Sequence, residues 1–239
     1  MDAEQIKLAV RSRYGQIASQ GSGCGCGPGC CTPAPAALST AAEEADLGLS
    51  CGLPLESAGV RPGEVVLDLG SGAGVDVFRA AEAAGPTGRA IGVDMTPEMV
   101  ARARRIAAER GVANAEFRLG EIETLPVESA SIDLVLSNCV LNLVPDKSRA
   151  FAEIYRVLKP GGRFSIADIV SAGRADGAPD MSTWADCAAG ALDHQVYLDL
   201  IRRAGFEQIE SGPVVQWEEE AAEEFRYLSL TVRAYKPCD

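Results

Sequence analysis

Cysteine residues give this sequence its most distinctive chemistry. Eight of the 239 residues are cysteine, and the only histidine is His194. A Gly- and Pro-rich stretch, which can hold neither a helix nor a strand, contains four of the eight: Cys24, Cys26, Cys30 and Cys31. Thiolates select soft ions, and the lack of a nearby histidine disfavours a zinc knuckle. The stretch is therefore interpreted as a loop that captures a soft ion, with a flexible linker carrying incidental cysteines as the alternative.

A glycine-rich turn is the second chemical feature. It follows an apolar run at residues 65–69 and precedes a helical pattern, and a short apolar run of this kind is typical of a buried parallel strand. A strand, a glycine turn and a helix in this order open a doubly wound nucleotide-binding sheet. The glycines let the backbone approach a ligand, because a Cβ would collide with it. Gly70, Gly72 and Gly74 occur at every second position. A dinucleotide site requires G-x-G-x-x-G, so a nicotinamide oxidoreductase is the weakest alternative.

An acidic residue closes the second predicted strand, residues 90–94. This residue, Asp94, lies roughly 20 positions beyond the glycine turn, where a Rossmann-like site places a carboxylate that accepts hydrogen bonds from both ribose hydroxyls. The alternative is that Asp94 only caps the next helix. That helix is predicted to begin with Thr96 as N-cap and Pro97 in its first position, and to stop at Gly111.

The order of predicted elements indicates the fold class. Strands and helices alternate with short connections, which implies a parallel sheet covered by helices on both faces. We expect a Rossmann-like α/β fold with a seven-stranded, mostly parallel sheet, a helical N-terminal extension and an insertion after the fifth strand. Three regions are expected, at residues 1–60, 61–170 and 171–239. The predicted strands are residues 65–69, 90–94, 115–119, 132–137, 163–170, 206–211 and 227–235.

Composition excludes several classes of partner. The formal net charge is −12, which argues against a nucleic-acid substrate because phosphates need neutralising Lys and Arg. No apolar run is long enough to cross a membrane, and the N-terminus lacks the apolar core of a signal peptide. We therefore expect a cytoplasmic protein with neither a nucleic-acid nor a membrane partner, whose cysteines are reduced thiols or soft-metal ligands rather than a disulfide framework.

The segment D-L-G-S-G-A-G at residues 68–74 resembles the first motif of class I S-adenosylmethionine (SAM)-dependent methyltransferases. In that family the turn faces the amino-acid part of SAM, and the turn after the third strand borders the adenine. The resemblance implies that Glu121 meets the adenine amino group and that Ile122 covers its face. For Glu121 the alternative is a solvated loop acid. The cofactor-binding residues expected in this way are Asp68, Gly70, Ser71, Gly72, Gly74, Asp94, Met95, Glu121, Ile122 and Asn138.

A more specific resemblance comes from four further motifs. They are L-S-C-G at 49–52, S-N-C-V-L-N-L-V-P-D-K at 137–147, D-C-A-A-G-A-L at 186–192 and S-L-T-V-R at 229–233. In this order they resemble the arsenite methyltransferase family, in its short, bacterial-type form. The match extends from residue 14 to residue 236.

This resemblance implies a substrate and a set of ligands. Cys51, Cys139 and Cys187 are expected to bind arsenite, presented as a thiol adduct, and to be the catalytic residues. An additional N-terminal cysteine takes part in binding and in a disulfide formed during turnover. Cys30 or Cys31 is favoured for this role by distance from Cys51, and the two other cysteines of the loop stay open. A thiol reductant such as thioredoxin or glutathione is implied as partner.

The chemistry of trivalent arsenic agrees with these ligands. Arsenic is thiophilic and takes thiolates rather than carboxylates or imidazole. Three thiolates would hold it as a trigonal pyramid whose lone pair attacks the sulfonium methyl. Such a site needs alignment of the two reactants but no general base.

Two other functions remain open. A class I methyltransferase acting on another small molecule predicts that the three cysteines are scattered in space. A soft-metal-binding protein without catalysis predicts ion binding through the Cys-rich loop and no methylated product.

Overall fold

The computed structural model of this chain describes residues 2–20, 39–49, 52, 54–172, 190–212, 215–216 and 226–238. Its strands are β1 (Val65–Leu69), β2 (Arg89–Asp94), β3 (Ala115–Leu119), β4 (Ile132–Asn138), β5 (Leu158–Ala172), β6 (Glu207–Ser211), β7 (Val215–Gln216) and β8 (Arg226–Tyr235). They form one sheet in the order β3-β2-β1-β4-β5-β8-β6, and β7 pairs with β8. The first five strands run parallel, and β8 is antiparallel to its neighbours. The predicted seven-stranded, mostly parallel sheet is confirmed, and β7 adds an eighth short strand among the described residues.

Helices cover both faces of this sheet. They are α1 (Ala3–Gln20), α2 (Thr40–Ala45), α3 (Pro54–Ala58), α4 (Val75–Ala84), α5 (Pro97–Arg110), α6 (Lys147–Val157) and α7 (His194–Arg203), with a 3₁₀ turn at Leu141–Leu143. Apolar residues of α2, α4 and α5 pack in one buried cluster, and those of α6 and α7 pack in another. In the described part of the chain, no helix is long and apolar enough to span a bilayer.

The side chains of the central strands alternate between these two clusters. In β1, Val66 joins the cluster of α4 and α5, whereas Leu67 joins that of α6 and α7. In β4, Leu134 and Val135 divide in the same way. Because successive residues of a strand point to opposite faces, a continuous apolar run buries both faces, as expected for a parallel sheet.

Several predicted boundaries agree with the structure and others differ. As predicted, α5 begins at Pro97 and ends at Gly111, which adopts a left-handed conformation with φ 66°. Thr96 occupies the N-cap position, but its side chain makes no capping hydrogen bond. The fifth strand begins at Leu158 rather than at residue 163, because Leu158 already pairs with Ile132 before the register shifts.

The three predicted regions remain a prediction. The described helices α1 to α3 lie within residues 1–60. Within residues 171–239, β8 pairs with β5 from Arg163 to Ala172. The C-terminal strands therefore extend the sheet of the central region.

Candidate active site

A cleft opens at the carboxyl ends of the parallel strands. Its lining comes from the turns after β1, β2, β3 and β4 and from one face of α1. The strand order reverses between β1 and β4, and such a switch point is where open α/β sheets bind ligands. Nine of the ten predicted cofactor-binding residues line this cleft: Asp68, Gly70, Ser71, Gly72, Asp94, Met95, Glu121, Ile122 and Asn138. Gly74 lies beside it, at the start of α4.

The glycine turn has a backbone that other residues rarely adopt. Gly70, Gly72 and Gly74 have φ values of 63°, 52° and 102°. A Cβ on Gly70 would lie 2.3 Å from Val140 Cγ2, and one on Gly74 would lie 2.7 Å from Phe117 Cζ. At Gly72 the nearest such atom, Met99 Sδ, is 3.9 Å away. A Cβ at Gly70 or Gly74 would therefore collide with the protein itself. At Gly72 there is room for a Cβ in the protein, so the predicted collision of a Cβ with a bound ligand applies to Gly72.

We expect Gly70→Ala to destabilise the protein more than Gly111→Ala. Both glycines have left-handed φ values, 63° and 66°, but a Cβ on Gly111 meets nothing within 4 Å. The shared backbone strain should cost about 1–2 kcal/mol, and the contact with Val140 about 1–3 kcal/mol more. Urea denaturation of the two variants measures the difference, and equal losses of unfolding free energy would contradict it.

Asp94 connects the glycine turn to the start of α5. Its Oδ2 accepts from the Gly72 amide at 2.9 Å, and its Oδ1 accepts from the Thr96 amide at 2.8 Å. Burial raises the pKa of this carboxyl, while the hydrogen bonds from Thr96 and Gly72 oppose the shift. The Thr96 side chain adds a third hydrogen bond. A carboxylate offers about four lone-pair sites, so three bonds still leave capacity for a ligand. Both the predicted ribose contact and a role in holding the helix start are compatible with this geometry.

Two further carboxylates face the same cleft, one buried and one partly buried. Asp68 at the end of β1 is 4% exposed, and burial, followed by the charges of Asp76 and Asp94, holds its pKa well above the usual value. Asp76, in the first turn of α4, accepts from Asn138 Nδ2 and Arg79 Nη1, both at 3.3 Å. Burial is also the main cause that raises the Asp76 pKa. This concentration of negative charge suits a cationic ligand.

Sequence reasoning missed Asp76. An acidic residue in the first turn of a helix ordinarily complements the helix dipole, so its type and position carried no separate signal. Its location six residues after Gly70, on the helix that follows the turn, could have indicated a site residue.

Ser71 and Met95 border the cleft in different ways. The Ser71 amide donates to Val93 O at 3.1 Å. Its buried hydroxyl has no hydrogen-bond partner among the described residues, so it is able to form a hydrogen bond with a ligand. Met95 packs against an apolar cluster of Ile6, Val10 and Leu143. This cluster joins α1 to the 3₁₀ turn that follows β4.

Glu121 is held by α1. Its Oε2 accepts from Lys7 Nζ at 2.8 Å and its Oε1 accepts from Arg11 Nη2 at 2.7 Å, and Lys7 also lies 3.3 Å from Glu123. The Lys7 hydrogen bond is the main cause that lowers the Glu121 pKa. Both carboxylate oxygens are ion-paired and the side chain is 31% exposed, so the alternative of a solvated loop acid stays open. Contact with an adenine amino group remains a prediction for Glu121, as does stacking on Ile122, which is 8% exposed.

Cys139 lies directly beyond β4, at the wall of the same cleft. It is 4% exposed, has a φ of 57° and donates its amide to Ala167 O at 2.8 Å. Positive φ is uncommon for a residue with a side chain, and such strain concentrates at functional positions. The Cys139 sulfur is disulfide-bonded in this structure, and the second described cysteine, Cys238, is free and exposed.

The other predicted arsenic ligands lie outside the described residues: Cys51, Cys187, Cys30 and Cys31, with Cys24 and Cys26. The structure does describe residues next to two of them. Gly52 O accepts from Asn138 Nδ2 at 3.0 Å, and Ala191 packs against Cys139 and Ile169. The convergence of three thiols remains a prediction.

Comparison with known proteins identifies the family. Residues 61–224 match the family model described as a methyltransferase domain. An arsenite methyltransferase of Halobacterium salinarum is 41% identical, covering 99% of this chain and 68% of that protein. An arsenite methyltransferase of Aquipseudomonas alcaligenes is 36% identical, covering 95% of this chain and 71% of that protein. The solved arsenic(III) S-adenosylmethionine methyltransferase of Chlamydomonas reinhardtii has a TM-score of 0.70 at 34% identity, covering 86% of this chain and 75% of that one.

These likenesses extend over nearly the whole chain and agree with the geometry of the cleft. The predicted class I SAM-dependent methyltransferase fold is confirmed, and so is the cofactor class. The sequence resemblance based on the cysteine motifs is confirmed as well. The chain belongs to the arsenite methyltransferase family.

Proposed function

We propose that this chain transfers the methyl group of SAM to trivalent arsenic held by cysteine thiolates, a reaction of arsenic detoxification. One observation carries the proposal. Cys139 lines the same cleft as the glycine turn and Asp94, so a sulfur of the kind that soft ions prefer borders the proposed cofactor site. The relatives named arsenite methyltransferase support the identity of the substrate.

The residues of the cleft fit SAM. The cofactor supplies an activated methyl group on a sulfonium and has a net positive charge, because its sulfonium and ammonium groups outweigh its one carboxylate. Asp68, Asp76 and Asp94 give the cleft the negative charge that such a cation requires. The unpartnered Ser71 hydroxyl offers a polar contact. We assign Asp94 to the ribose, the turn at 70–74 to the amino-acid part, and Ile122 to the adenine face.

Lys7 and Arg11 close the cleft from the N-terminal side. With Val10 and Tyr14 in the lining of the cleft, α1 covers the proposed cofactor site, and two of its three cations are bound to Glu121. Release of the cofactor therefore requires these ion pairs to open or to shift.

We expect the double variant Lys7→Gln and Arg11→Gln to release SAM faster. Partly exposed ion pairs contribute about 0.2–1 kcal/mol each, so the loss of two pairs should raise the dissociation rate about 2–30-fold. Added salt should accelerate release from the wild type and have less effect on the variant, since salt screens exposed charges. Stopped-flow displacement of SAM measures both rates.

The control for this experiment is Arg202→Gln, which removes an exposed ion pair with Asp199 on α7. It should release SAM at the wild-type rate. If the double variant also shows the wild-type rate and the wild-type salt dependence, α1 does not restrain the cofactor.

On the acceptor side, we propose Cys139, Cys51 and Cys187 as thiolate ligands of arsenic. Two contacts of their neighbours support this set. The carbonyl of Gly52, next to Cys51, is bound to Asn138, next to Cys139, and consecutive Cα atoms are about 3.8 Å apart. Ala191, four positions after Cys187, packs against Cys139. The same proposal includes Cys30 or Cys31 as an additional ligand.

The transfer itself needs alignment rather than proton transfer. In this transfer a new bond between arsenic and the methyl carbon would replace the methyl–sulfur bond of the sulfonium, and the sulfonium sulfur would keep the electron pair of the broken bond. Arsenic is thereby oxidised by two electrons, which a thiol pair can return by forming a disulfide. The residues of this chain contribute by holding the thiolates and the cofactor at the correct distance.

We also propose a dithiol system such as thioredoxin or glutathione as the reductant. Cys139 is disulfide-bonded in this structure, and an oxidised thiol must be reduced before it can bind arsenic again. Such reductants keep thiols reduced in the cytoplasm, where we place the reaction.

Mass spectrometry of arsenic species after incubation of the protein with SAM, arsenite and a thiol tests the proposal. Methylated arsenic that depends on SAM supports it. Arsenite bound tightly without methylated product would favour a soft-metal-binding protein. SAM bound with neither arsenic binding nor product would favour a methyltransferase of another small molecule.

A further inference from the structure

A buried cation and a buried anion lie behind the turn that follows Cys139. Lys147, the first residue of α6, is 7% exposed, and Asp168 of β5 is 1% exposed. The charges of Lys147 and Asp168 act on one another, and the charge of Glu123 also acts on Lys147. Neither Lys147 nor Asp168 lines the cleft that is proposed to bind the cofactor. Because a buried ion pair often adds little stability to a fold, we consider whether this pair positions neighbouring backbone instead.

Both members of this pair hold the backbone of Asn142. Lys147 Nζ donates to Asn142 O at 3.2 Å and to Val144 O at 3.0 Å. The Asn142 amide donates to the Asp168 carboxylate. The Asn142 side chain adds a third tie, because its Nδ2 donates to Ile169 O at 2.8 Å.

Asp168 is itself fixed by its surroundings. Its Oδ1 accepts from the Ile169 amide at 3.0 Å, and its Oδ2 accepts from Tyr197 of α7 at 3.3 Å. Tyr197 is fully buried. The 3₁₀ turn is thus anchored to β5, to α6 and, through Tyr197, to α7. Cys139 stands two residues before this turn, in a positive-φ conformation that needs support.

A second segment packs on the same atoms. A Cβ on Gly190 would lie 1.9 Å from Asn142 O and 3.4 Å from Lys147 Nζ. Two residues later, Leu192 O accepts from the Ser171 amide at 2.9 Å. The Asn142 carbonyl therefore contacts both the Lys147 side chain and the segment at Gly190, three residues after Cys187.

We propose that Lys147 and Asp168 are positioning residues that hold the Asn142 backbone as the common support of the Cys139 turn and of the Gly190 segment. By doing so they bring the two predicted thiol ligands of arsenic together. This inference rests on the proposed function for its substrate, but it concerns arsenic binding and does not depend on methyl transfer.

The test compares single and double variants. Lys147→Met removes the donors to Asn142 and Val144 and leaves Asp168 without its cation, so it should weaken both folding and arsenite binding. Lys147→Met combined with Asp168→Asn removes the uncompensated charge. We expect the double variant to recover most of the unfolding free energy but to bind arsenite about 10-fold more weakly than the wild type, the scale of outer-shell effects on metal ligands.

Equilibrium dialysis of reduced protein against arsenite, with arsenic counted by elemental mass spectrometry, measures this affinity in the absence of SAM. Calorimetric SAM affinity should stay within about two-fold, because neither residue lines the cleft. In turnover, the loss should appear in KM for arsenite more than in kcat. A rise in KM for arsenite is a readout that general loss of stability would not produce.

The matched control is Arg163→Met. It breaks another buried ion pair, with Glu64 at 2.8 Å, at the amino end of the same sheet. A folded control with wild-type arsenite affinity supports the proposal. The proposal is overturned if the double variant binds arsenite like the wild type, or if Arg163→Met weakens binding equally. If the wild-type protein binds arsenite but yields no methylated arsenic, the proposed function fails while the dialysis still decides this inference.

Discussion

Replacing Cys139 with serine should abolish arsenite methylation and leave SAM binding intact. A hydroxyl is a hard ligand that does not substitute for a thiolate on a soft ion. Outer-shell partners of metal ligands are worth about 10–100-fold, so loss of a ligand itself should lower kcat/KM by more than about 100-fold. The substitution changes one atom in a residue that is 4% exposed, and the backbone bond to Ala167 O does not involve the side chain.

The comparison is made with reduced protein, because the Cys139 sulfur is disulfide-bonded in the structure. Cys238→Ser is the control, since that cysteine is free and exposed near the C-terminus and is absent from the lining of the cleft. It should keep wild-type activity. Product formation by Cys139→Ser at the wild-type rate would remove Cys139 from the arsenic site, whatever happens with the control.

The second large effect is expected for Asp94→Ala, which should weaken SAM binding. Hydrogen bonds to charged groups contribute about 1.5–3 kcal/mol, so loss of the ribose contact corresponds to about 10–100-fold in affinity. The variant also leaves the Gly72 and Thr96 amides without their acceptor. Stability is therefore measured separately by denaturation, and affinity by calorimetry on the folded fraction.

Asp133→Ala provides a matched control for Asp94→Ala. The Asp133 carboxylate also accepts from a backbone amide, that of Val65 at 2.8 Å, and binds Lys159 at 2.7 Å. It does so at the amino ends of β1 and β4, on the edge of the sheet opposite the cleft. The control should lose stability and keep its affinity for SAM. Unchanged SAM affinity in Asp94→Ala would show that Asp94 does not bind the ribose.

The dependence of SAM affinity on pH follows from the same carboxylates. Burial raises the pKa of Asp68 and of Asp94. Their negative charge attracts a cation only when they are ionised, so affinity should fall as the pH is lowered. Because the pKa values are raised, the fall should begin at a higher pH than for exposed carboxylates, and Asp94→Ala should show a weaker dependence.

The central fold was predictable because local rules govern it. The run at 65–69 and the glycines after it specify a strand and a turn through burial and positive φ. Pro97 and Gly111 set the ends of α5 through the φ values that each residue favours. The start of β5 was not predicted, because Leu158 pairs across a register shift that leaves no sequence pattern.

The candidate site was predictable only in part. Residue type identified Asp94 and Cys139, since a carboxylate or a thiol at the end of a strand has a recognisable chemistry. The same reasoning overlooked Asp76, whose place in a first helical turn has an ordinary explanation. For Glu121 the sequence predicted either a contact with a ligand or a solvated position. It did not predict that α1 supplies two cations to this carboxylate.

By itself, the sequence determined the alternation of strands and helices, the cofactor turn and the thiol chemistry, since each depends on residues close together in the chain. Only the tertiary structure decided that Lys7 meets Glu121 across 114 positions. Packing likewise decided that Lys147 and Gly190 meet at the backbone carbonyl of Asn142, and that Asp168 binds the backbone amide of the same residue. Contacts of this kind follow from how whole elements pack against each other, and a side chain's identity does not specify its partner when several acids or cations are available.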